Sequence, residues 1–231
     1  MNLAIVGYGK MGRLIERLAP EYGFDVKLRL GRANNGRFDA LTQESLRGID
    51  VAVEFSTPAS APENIEKLAA CGVNVVTGTT GWSNELPRVR RSVESSGTGL
   101  VWSPNFSVGV HIFSQIVSEA ARLMTNQSEY GAWAREIHHS AKKDAPSGTL
   151  VSLLEKMKAA GYAAPVDASS SRAGKHPGTH EIGFDSDGDT ITLCHTARSR
   201  DGFARGALRA AHWVVGKSGF YDFREIVSQL D

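Results

Sequence analysis

The chain has 231 residues, enough to bury a sizeable core as one large domain or two small ones. Hydrophobic residues make up 41% and charged residues 22%, the balance of an ordinary globular protein. The formal net charge of +1 leaves no global field to recruit nucleic acid or an acidic membrane.

Two cysteines, Cys71 and Cys194, lie far apart, which excludes a disulfide framework and a cysteine metal knuckle. No stretch approaches the roughly 20 apolar residues of a membrane helix. The opening "MNLAIVGYGKMGRLI" carries glycines where a signal peptide has its apolar core. A soluble, cytoplasmic protein is the expectation.

The first hundred residues alternate between strand and helix periods. "NLAIV" reads as a buried strand, "GYGKMG" as a turn, and "RLIERLAPEY" as a helix. "FDVKLRL" and "IDVAVEF" are the next strands. "APENIEKLAACG" is a helix stopped by Gly72, "VNVVTG" a strand, "SNELPRVRRSVESSG" a helix and "GLVWS" a fifth strand. Such alternation predicts βαβ units and a parallel sheet.

After Phe106 the pattern changes. "VGVHIFSQIVSEAARLM" is a long amphipathic helix, "GAWAREIHH" a strand and "GTLVSLLEKMKAAGY" a helix. Residues 163–179 read as a loop rich in Ser, Gly and His. "HEIGFD" and "DTITLCHTARS" flank "SDGD" as a hairpin. "ALRAAHWVVGK" and "YDFREIV" read as closing helices that return to the first part. The expected division is residues 1–107 plus 207–231 as one domain and residues 108–206 as a second, α+β domain.

Gly7, Gly9 and Gly12 form G-x-G-x-x-G directly after a strand and at the start of a helix. That context suits a dinucleotide pyrophosphate, because the glycines allow a tight turn and close backbone approach while the helix N-terminus offers N–H groups. A plain glycine-rich turn would need no ligand. The strand-end turns "FSTP", with Ser56 and Thr57, and "GTTG" stand where such cofactors lie. At the end of the second strand the chain reads "LRLGRANNGR". Arg29, Arg32 and Arg37 stand there without the carboxylate usual for NAD. An arginine there suits a 2′-phosphate; a solvated basic turn is the plainer alternative.

The run "HHSAKKDAPSGTL" gathers proton carriers and cations. Neighbouring strand residues point to opposite faces, so His138 and His139 should have different roles. Histidine suits proton transfer near neutral pH, and Lys142 can return across a turn. Ser147 is a candidate cap that leaves the Gly148 and Thr149 N–H groups as an anion cradle. A structural histidine pair with solvated lysines remains the plainer alternative. A zinc site is a third option, but no Cys or Glu stands at a convincing ligand spacing.

"EIHHSAKKDAPSGT" resembles the signature of the 4-hydroxy-tetrahydrodipicolinate (dihydrodipicolinate) reductase family. "GYGKMG", "VEFSTP", "VVTGTTGW", "SPNFSVGV" and "ARSRDGFARGALRAAHWV" agree in order, so the resemblance spans nearly the whole chain. It implies a Rossmann-type parallel-sheet cofactor domain, a second α+β domain for substrate binding and oligomerisation, and a homotetramer. It implies NADPH and/or NADH as cofactor, no metal, and a small cyclic dicarboxylate as substrate, reduced in lysine and diaminopimelate biosynthesis.

By position the resemblance makes His138 and Lys142 catalytic and His139, Gly148 and Thr149 substrate-binding. Arg200, in "ARSRDGF", is a further candidate for the substrate, with a surface arginine as its alternative. Cofactor contacts fall on Gly7, Tyr8, Gly9, Lys10, Met11, Gly12 and Arg32, on Ser56 and Thr57, on Gly78, Thr79 and Thr80, and on Ser103, Pro104, Asn105 and Phe106.

Two departures stand out. Many members have one more residue in the glycine loop, and many carry the acidic residue missing here, which shifts the expectation toward NADPH. Two rival classes share part of the pattern. One is another two-domain NAD(P)-dependent amino-acid or semialdehyde dehydrogenase. The other is a non-catalytic NADPH-sensing protein, which would have no use for His138 and Lys142.

Overall fold

The computed structural model describes residues 1–35 and 38–230, so Arg37 lies outside the described residues. The chain divides into two compact units, Met1–Ser107 with Asp201–Asp231, and Val108–Arg200. The helix that returns the chain to the first unit starts at Asp201, earlier than the boundary at residue 207 drawn from the sequence.

In the first unit, six strands form one parallel sheet: β1 (Asn2–Val6), β2 (Asp25–Leu30), β3 (Val51–Glu54), β4 (Asn74–Thr77), β5 (Gly99–Trp102) and β10 (Gly219–Asp222). Their order is β10-β5-β4-β3-β1-β2. The central strands β1, β3, β4 and β5 are buried along almost their whole length, as strands covered by helices on both faces must be. The edge strand β2 alternates instead.

Helices α1 (Lys10–Leu18) and α6 (Asp201–Val214) pack together, as do α2 (Ala61–Ala70) and α3 (Leu86–Ser95). Leu30, Val73, Val75, Leu100, Ile65, Leu68 and Val89 belong to one buried cluster. Each such aliphatic side chain contributes about 1.5–3 kcal/mol by leaving water. The strand order reverses at β1, with β2 on one side and β3 on the other, which is where open α/β sheets place a ligand.

The second unit has a four-stranded mixed sheet in the order β7-β6-β8-β9. Strand β6 (Gly131–His138) runs parallel to β7 (Val166–Arg172) and antiparallel to β8 (Thr179–Asp185), which forms a hairpin with β9 (Thr190–Thr196). Helices α4 (Val108–Met124) and α5 (Gly148–Ala159) pack on each other. Phe113, Val117, Leu150, Leu153 and Met157 meet Ala132, Ala134, Ile182 and Phe184 in its core. Strands β7 and β9 are mostly exposed.

Two expectations fail. The segment expected as a loop contains β7, because "VDASSSR" lacks the apolar alternation that marks a half-buried strand. As an edge strand it is held by backbone pairing to β6 and needs no apolar face. The closing "YDFREIV" is not one helix: residues 219–222 extend the parallel sheet beside β5. Asp222 then caps the short α7 (Phe223–Ile226) in a capping box with Glu225. Among the described residues no helix is long and apolar enough to cross a membrane.

Candidate active site

The glycine turn is built on β2. The N–H groups of Gly7 and Tyr8 both donate to the Leu30 carbonyl, at 2.8 and 3.1 Å, which ties the turn to the neighbouring strand end. Gly7 has φ +99, and a Cβ there would stand 2.2 Å from the Phe55 carbonyl oxygen. A Cβ on Gly12 would meet the Gly7 oxygen at 2.5 Å. These two glycines are therefore fixed by packing. Gly9 is different: nothing lies within 4 Å of its would-be Cβ, and as N-cap of α1 it brings no side chain to the helix start.

The first turn of α1 thus faces open space with N–H groups lacking a side-chain acceptor, and these residues fit a pyrophosphate. Lys10 is exposed beside it and Met11 half-buried.

The basic stretch at the end of β2 resolves into two different arginines. Arg29 is ion-paired with Glu16, which also accepts from the Tyr8 hydroxyl. Hydrogen bonds from Tyr8 and Arg29 hold the Glu16 carboxyl below its ordinary range. Arg29 is therefore already engaged. Arg32 is exposed and makes no ion pair among the described residues.

The loops after β3 and β4 are organised by Glu54, which is fully buried. Its carboxylate accepts from the Ser56 N–H at 3.0 Å, from the Ser56 hydroxyl, and from the Thr77 hydroxyl at 2.6 Å. The Ser56 N–H also meets Thr79 Oγ1 at 2.9 Å. Burial pushes the Glu54 carboxyl up, against these hydrogen bonds. Thr57, Thr80 and Pro104 are exposed, and Gly78 and Asn105 half-buried. Ser103 and Phe106 are buried, with Ser103 bonded to the Asn105 backbone and Phe106 stacked edge-on with Phe223. Their side chains face the protein. The charged residue that ends the apolar run "VAVEF" was the available sequence signal for Glu54.

In the second unit β6 alternates strictly, so Ala132, Ala134, Glu136 and His138 are buried on one side. His138 is 8% exposed, whereas His139, the next residue, is half-buried. Glu136 is 1% exposed and holds several elements together. Its Oε1 accepts from the Ser147 N–H, the Ser170 hydroxyl and Arg172, each at 2.9 Å. Its Oε2 lies 3.5 Å from His138 Nδ1 and 3.4 Å from His180 Nε2. Burial raises the Glu136 carboxyl, but the hydrogen bonds from Ser147, Arg172 and Ser170 prevail and bring it to about 2.

Burial lowers both histidines, and His180 falls to about 4. For His138, Glu136 opposes that shift while Lys142 and Arg172 add to it. The side chains of Glu136, His138 and His180 form the group that could hold a metal ion among the described residues. The expectation that no Glu stands at a convincing ligand spacing is thus corrected: Glu136 and His138, two positions apart on a strand, share one face. Arg172 already neutralises this carboxylate and Lys142 adds charge nearby, which opposes a further cation and favours protons as the linkers.

The turn after β6 is closed by the Lys142 N–H donating to the His139 carbonyl at 3.0 Å. Ser147 caps α5, its hydroxyl accepting from the Leu150 N–H at 3.2 Å and lying 3.2 Å from His180 Nε2. Gly148 is exposed and Thr149 half-buried at the helix start. Lys142 reaches Asp144. Arg200 is exposed and joins none of these contacts.

Two family profiles match consecutive parts of the chain: dihydrodipicolinate reductase, N-terminus, over residues 1–106, and dihydrodipicolinate reductase, C-terminus, over residues 109–227. The chain belongs to the dihydrodipicolinate reductase family. It is 32% identical to the 4-hydroxy-tetrahydrodipicolinate reductase of Christiangramia forsetii, covering 100% of this chain and 99% of that one. It is 34% identical to the protein of the same name from Archaeoglobus fulgidus, covering 97% and 100%.

Among solved structures, dipicolinate-bound dihydrodipicolinate reductase from Paenisporosarcina sp. TG-14 shares the fold, with a TM-score of 0.81, 22% identity and coverage of 98% and 99%. Membership makes the chain an NAD(P)H-dependent oxidoreductase with a two-domain Rossmann-like fold, and it removes the two rival classes.

Proposed function

We propose that this chain reduces 4-hydroxy-tetrahydrodipicolinate to tetrahydrodipicolinate in lysine and diaminopimelate biosynthesis, with NADPH or NADH as reductant and water as the second product. The observation that carries the reading at the site is the pairing, in one short segment, of a buried imidazole with a helix N-terminus. His138 stands against Glu136, and the α5 N-terminus begins at Gly148 beneath its Ser147 cap. A proton carrier and an anion cradle are what reduction of a cyclic dicarboxylate requires.

The bound nicotinamide supplies the hydride. The first turn of α1, Gly9 above all, would hold its pyrophosphate, with Tyr8, Lys10 and Met11 around it and Arg32 available to a 2′-phosphate. The strand-end loops at Ser56–Thr57, Gly78–Thr80 and Ser103–Phe106 complete that cofactor set, Ser103 and Phe106 through their backbones.

His138 delivers the proton that balances the added hydride. Lys142 and the Gly148 and Thr149 N–H groups hold carboxylate, and His139, on the other side of the strand, contributes to binding rather than to proton transfer. Arg200 is a further cation for the substrate.

The second unit serves substrate binding and assembly. Its mostly exposed β7 and β9 offer the surface for a homotetramer, and the cytoplasm is the proposed location. A coupled assay tests the activity: substrate is generated in place and NADPH oxidation is followed. Oxidation that depends on the generated substrate is expected. Cofactor binding without substrate-dependent oxidation would sink the reading.

A further inference from the structure

His138 and Glu136 share one face of β6, and two of their buried atoms have no hydrogen-bond partner among the described residues: His138 Nδ1 and Glu136 Oε2. A buried acceptor and a buried ring nitrogen left without partners each carry a penalty of about 1–3 kcal/mol. Here they face each other at 3.5 Å. A proton on Nδ1 satisfies both at once, after a shift of a few tenths of an ångström. The opposite ring nitrogen is left clear by a backbone feature. Gly178, at φ +139, lies where a Cβ would stand 3.0 Å from His138 Nε2. A side chain there would crowd that nitrogen.

We propose that Glu136 is the positioning residue for His138. Its carboxylate takes the Nδ1 proton and so fixes the tautomer and the ring plane, leaving Nε2 to carry the transferred proton. This rests on the reading of His138 as the proton donor and adds the group that makes it one. The logic is that of a carboxylate behind a catalytic imidazole, which orients the ring and stabilises the imidazolium without itself taking the proton. The donor form of such a ring is the imidazolium, and the buried charge of Glu136 favours it.

The same carboxylate anchors the anion cradle. Oε1 accepts the N–H of Ser147, the cap of α5, and pairs with Arg172, whose guanidinium also donates to the Asp144 carbonyl in the turn. One side chain thus sets the distance between proton donor and cradle. The other charged groups around the ring are His180 from β8, Arg172 from β7, and Lys142 and Asp144 from the turn. Lys142 and Arg172 oppose the imidazolium. Glu136 is therefore needed to keep a protonated ring accessible near neutral pH.

The test uses the intact enzyme in the coupled assay. Glu136→Gln keeps the shape and removes the charge. It is expected to lower kcat at neutral pH by about tenfold or more, leave NADPH affinity unchanged, and move the alkaline limb of the kcat profile to lower pH by about one unit or more. Glu136→Asp is expected to restore part of the limb. Should the Gln variant fail to fold, nitrogen NMR of the wild-type histidines decides instead, with His138→Gln assigning the signal. Nδ1 protonation supports the proposal, and an Nε2–H tautomer in the resting enzyme overturns it.

If His138→Gln is impaired while Glu136→Gln leaves the limb unmoved, this inference fails and the reading of His138 survives. If His138→Gln keeps full turnover, both fall together. Loss of activity on dialysis against a chelator, restored by zinc, would also overturn it, because the carboxylate would then be a metal ligand.

Discussion

The Lys142 ammonium sits 2.8 and 2.9 Å from the two carboxylate oxygens of Asp144. Asp144 also draws on the Gly148 N–H, and its carboxyl is held below its ordinary range chiefly by Lys142. The internal carboxylate therefore engages the cation and helix N–H assigned to the substrate's carboxylate. Asp144 is largely exposed, so it can leave at small cost when a dianion arrives.

This relationship has a measurable consequence. Asp144→Asn removes the competing charge while keeping the size of the side chain. The substrate KM is expected to fall several-fold, because Lys142 no longer has to exchange one carboxylate for another. A KM that rises instead would show that Asp144 holds Lys142 in place for the substrate rather than competing with it.

Neither Asp144 nor Glu136 was singled out from the sequence, and the reason is physical. The glycine turn, the strand ends and the His-His-Lys run were legible because each depends on local chemistry at fixed spacing. The parallel sheet with its helices, and the second unit with its helices and hairpin, followed from hydrophobic periods. What could not be read was pairing across the sheet. His180 meets Glu136 only because β8 runs antiparallel to β6 in a register that sets Glu136 opposite His180. Arg172 arrives on β7, whose serine-rich stretch carries no strand signal. Taken without its neighbours, Glu136 is one more charged strand residue. Strand β10 was lost for a similar reason, since four residues of edge strand run directly into a capped helical turn.

Cofactor choice turns on two arginines, Arg29 at the end of β2 and Arg32 just after it. Arg29 is neutralised by Glu16, so Arg32 is the residue available to a 2′-phosphate. NADPH is expected to bind at least as well as NADH. Arg32→Ala should weaken NADPH selectively by about 1–3 kcal/mol, the range of a charge-assisted contact. Titrations that favour NADH by about tenfold in the wild type, or an equal loss for both nucleotides in the variant, would count against this assignment.

The open face of Gly9 makes a clean separation of folding from binding possible. Gly9→Val places a branched side chain in space where nothing lies within 4 Å of the Cβ position, so the unfolding midpoint should change little. Nucleotide affinity should collapse, because the side chain occupies the approach to the α1 N-terminus. The same substitution at Gly7 should unfold the domain instead. Retained affinity in the Gly9 variant would place the pyrophosphate elsewhere.

Acid sensitivity should have its origin in the second unit. His180 is an imidazole held neutral, with a folded value of about 4 against an ordinary 6.5. Its contribution is full above the unfolded value and is lost as pH falls from about 6.5 toward 4, because protonation then favours the unfolded chain. The size is on the order of 3 kcal/mol. Glu136 has the opposite chemistry but the same direction. Its lowered carboxyl stabilises the fold above its unfolded value of 4.5 and ceases to do so as pH falls through about 2. Denaturant midpoints measured at neutral pH and near pH 5 should differ less in His180→Gln than in the wild type. An unchanged difference would place the acid-sensitive group elsewhere.

The last prediction concerns the paired histidines and Lys142. The proposed function gives separate work to His138, buried on the Glu136 side, and to His139, half-buried beside it. His138→Gln removes the proton carrier and should lower kcat by about 10²–10⁴-fold, the usual contribution of general acid–base assistance, with cofactor affinity little changed. His139→Gln should raise KM and leave kcat close to normal. Lys142→Ala should do both, since in the proposed role the ammonium binds carboxylate in the ground state and stabilises charge as the hydride arrives. Its KM effect should shrink when Asp144 is also replaced, because the two side chains are partners and their substitutions are not additive. Steady-state constants for the three single variants and the double variant decide the matter. Turnover that survives in His138→Gln but vanishes in His139→Gln would reverse the two roles. Activity in all three single variants would leave the segment a decorated loop.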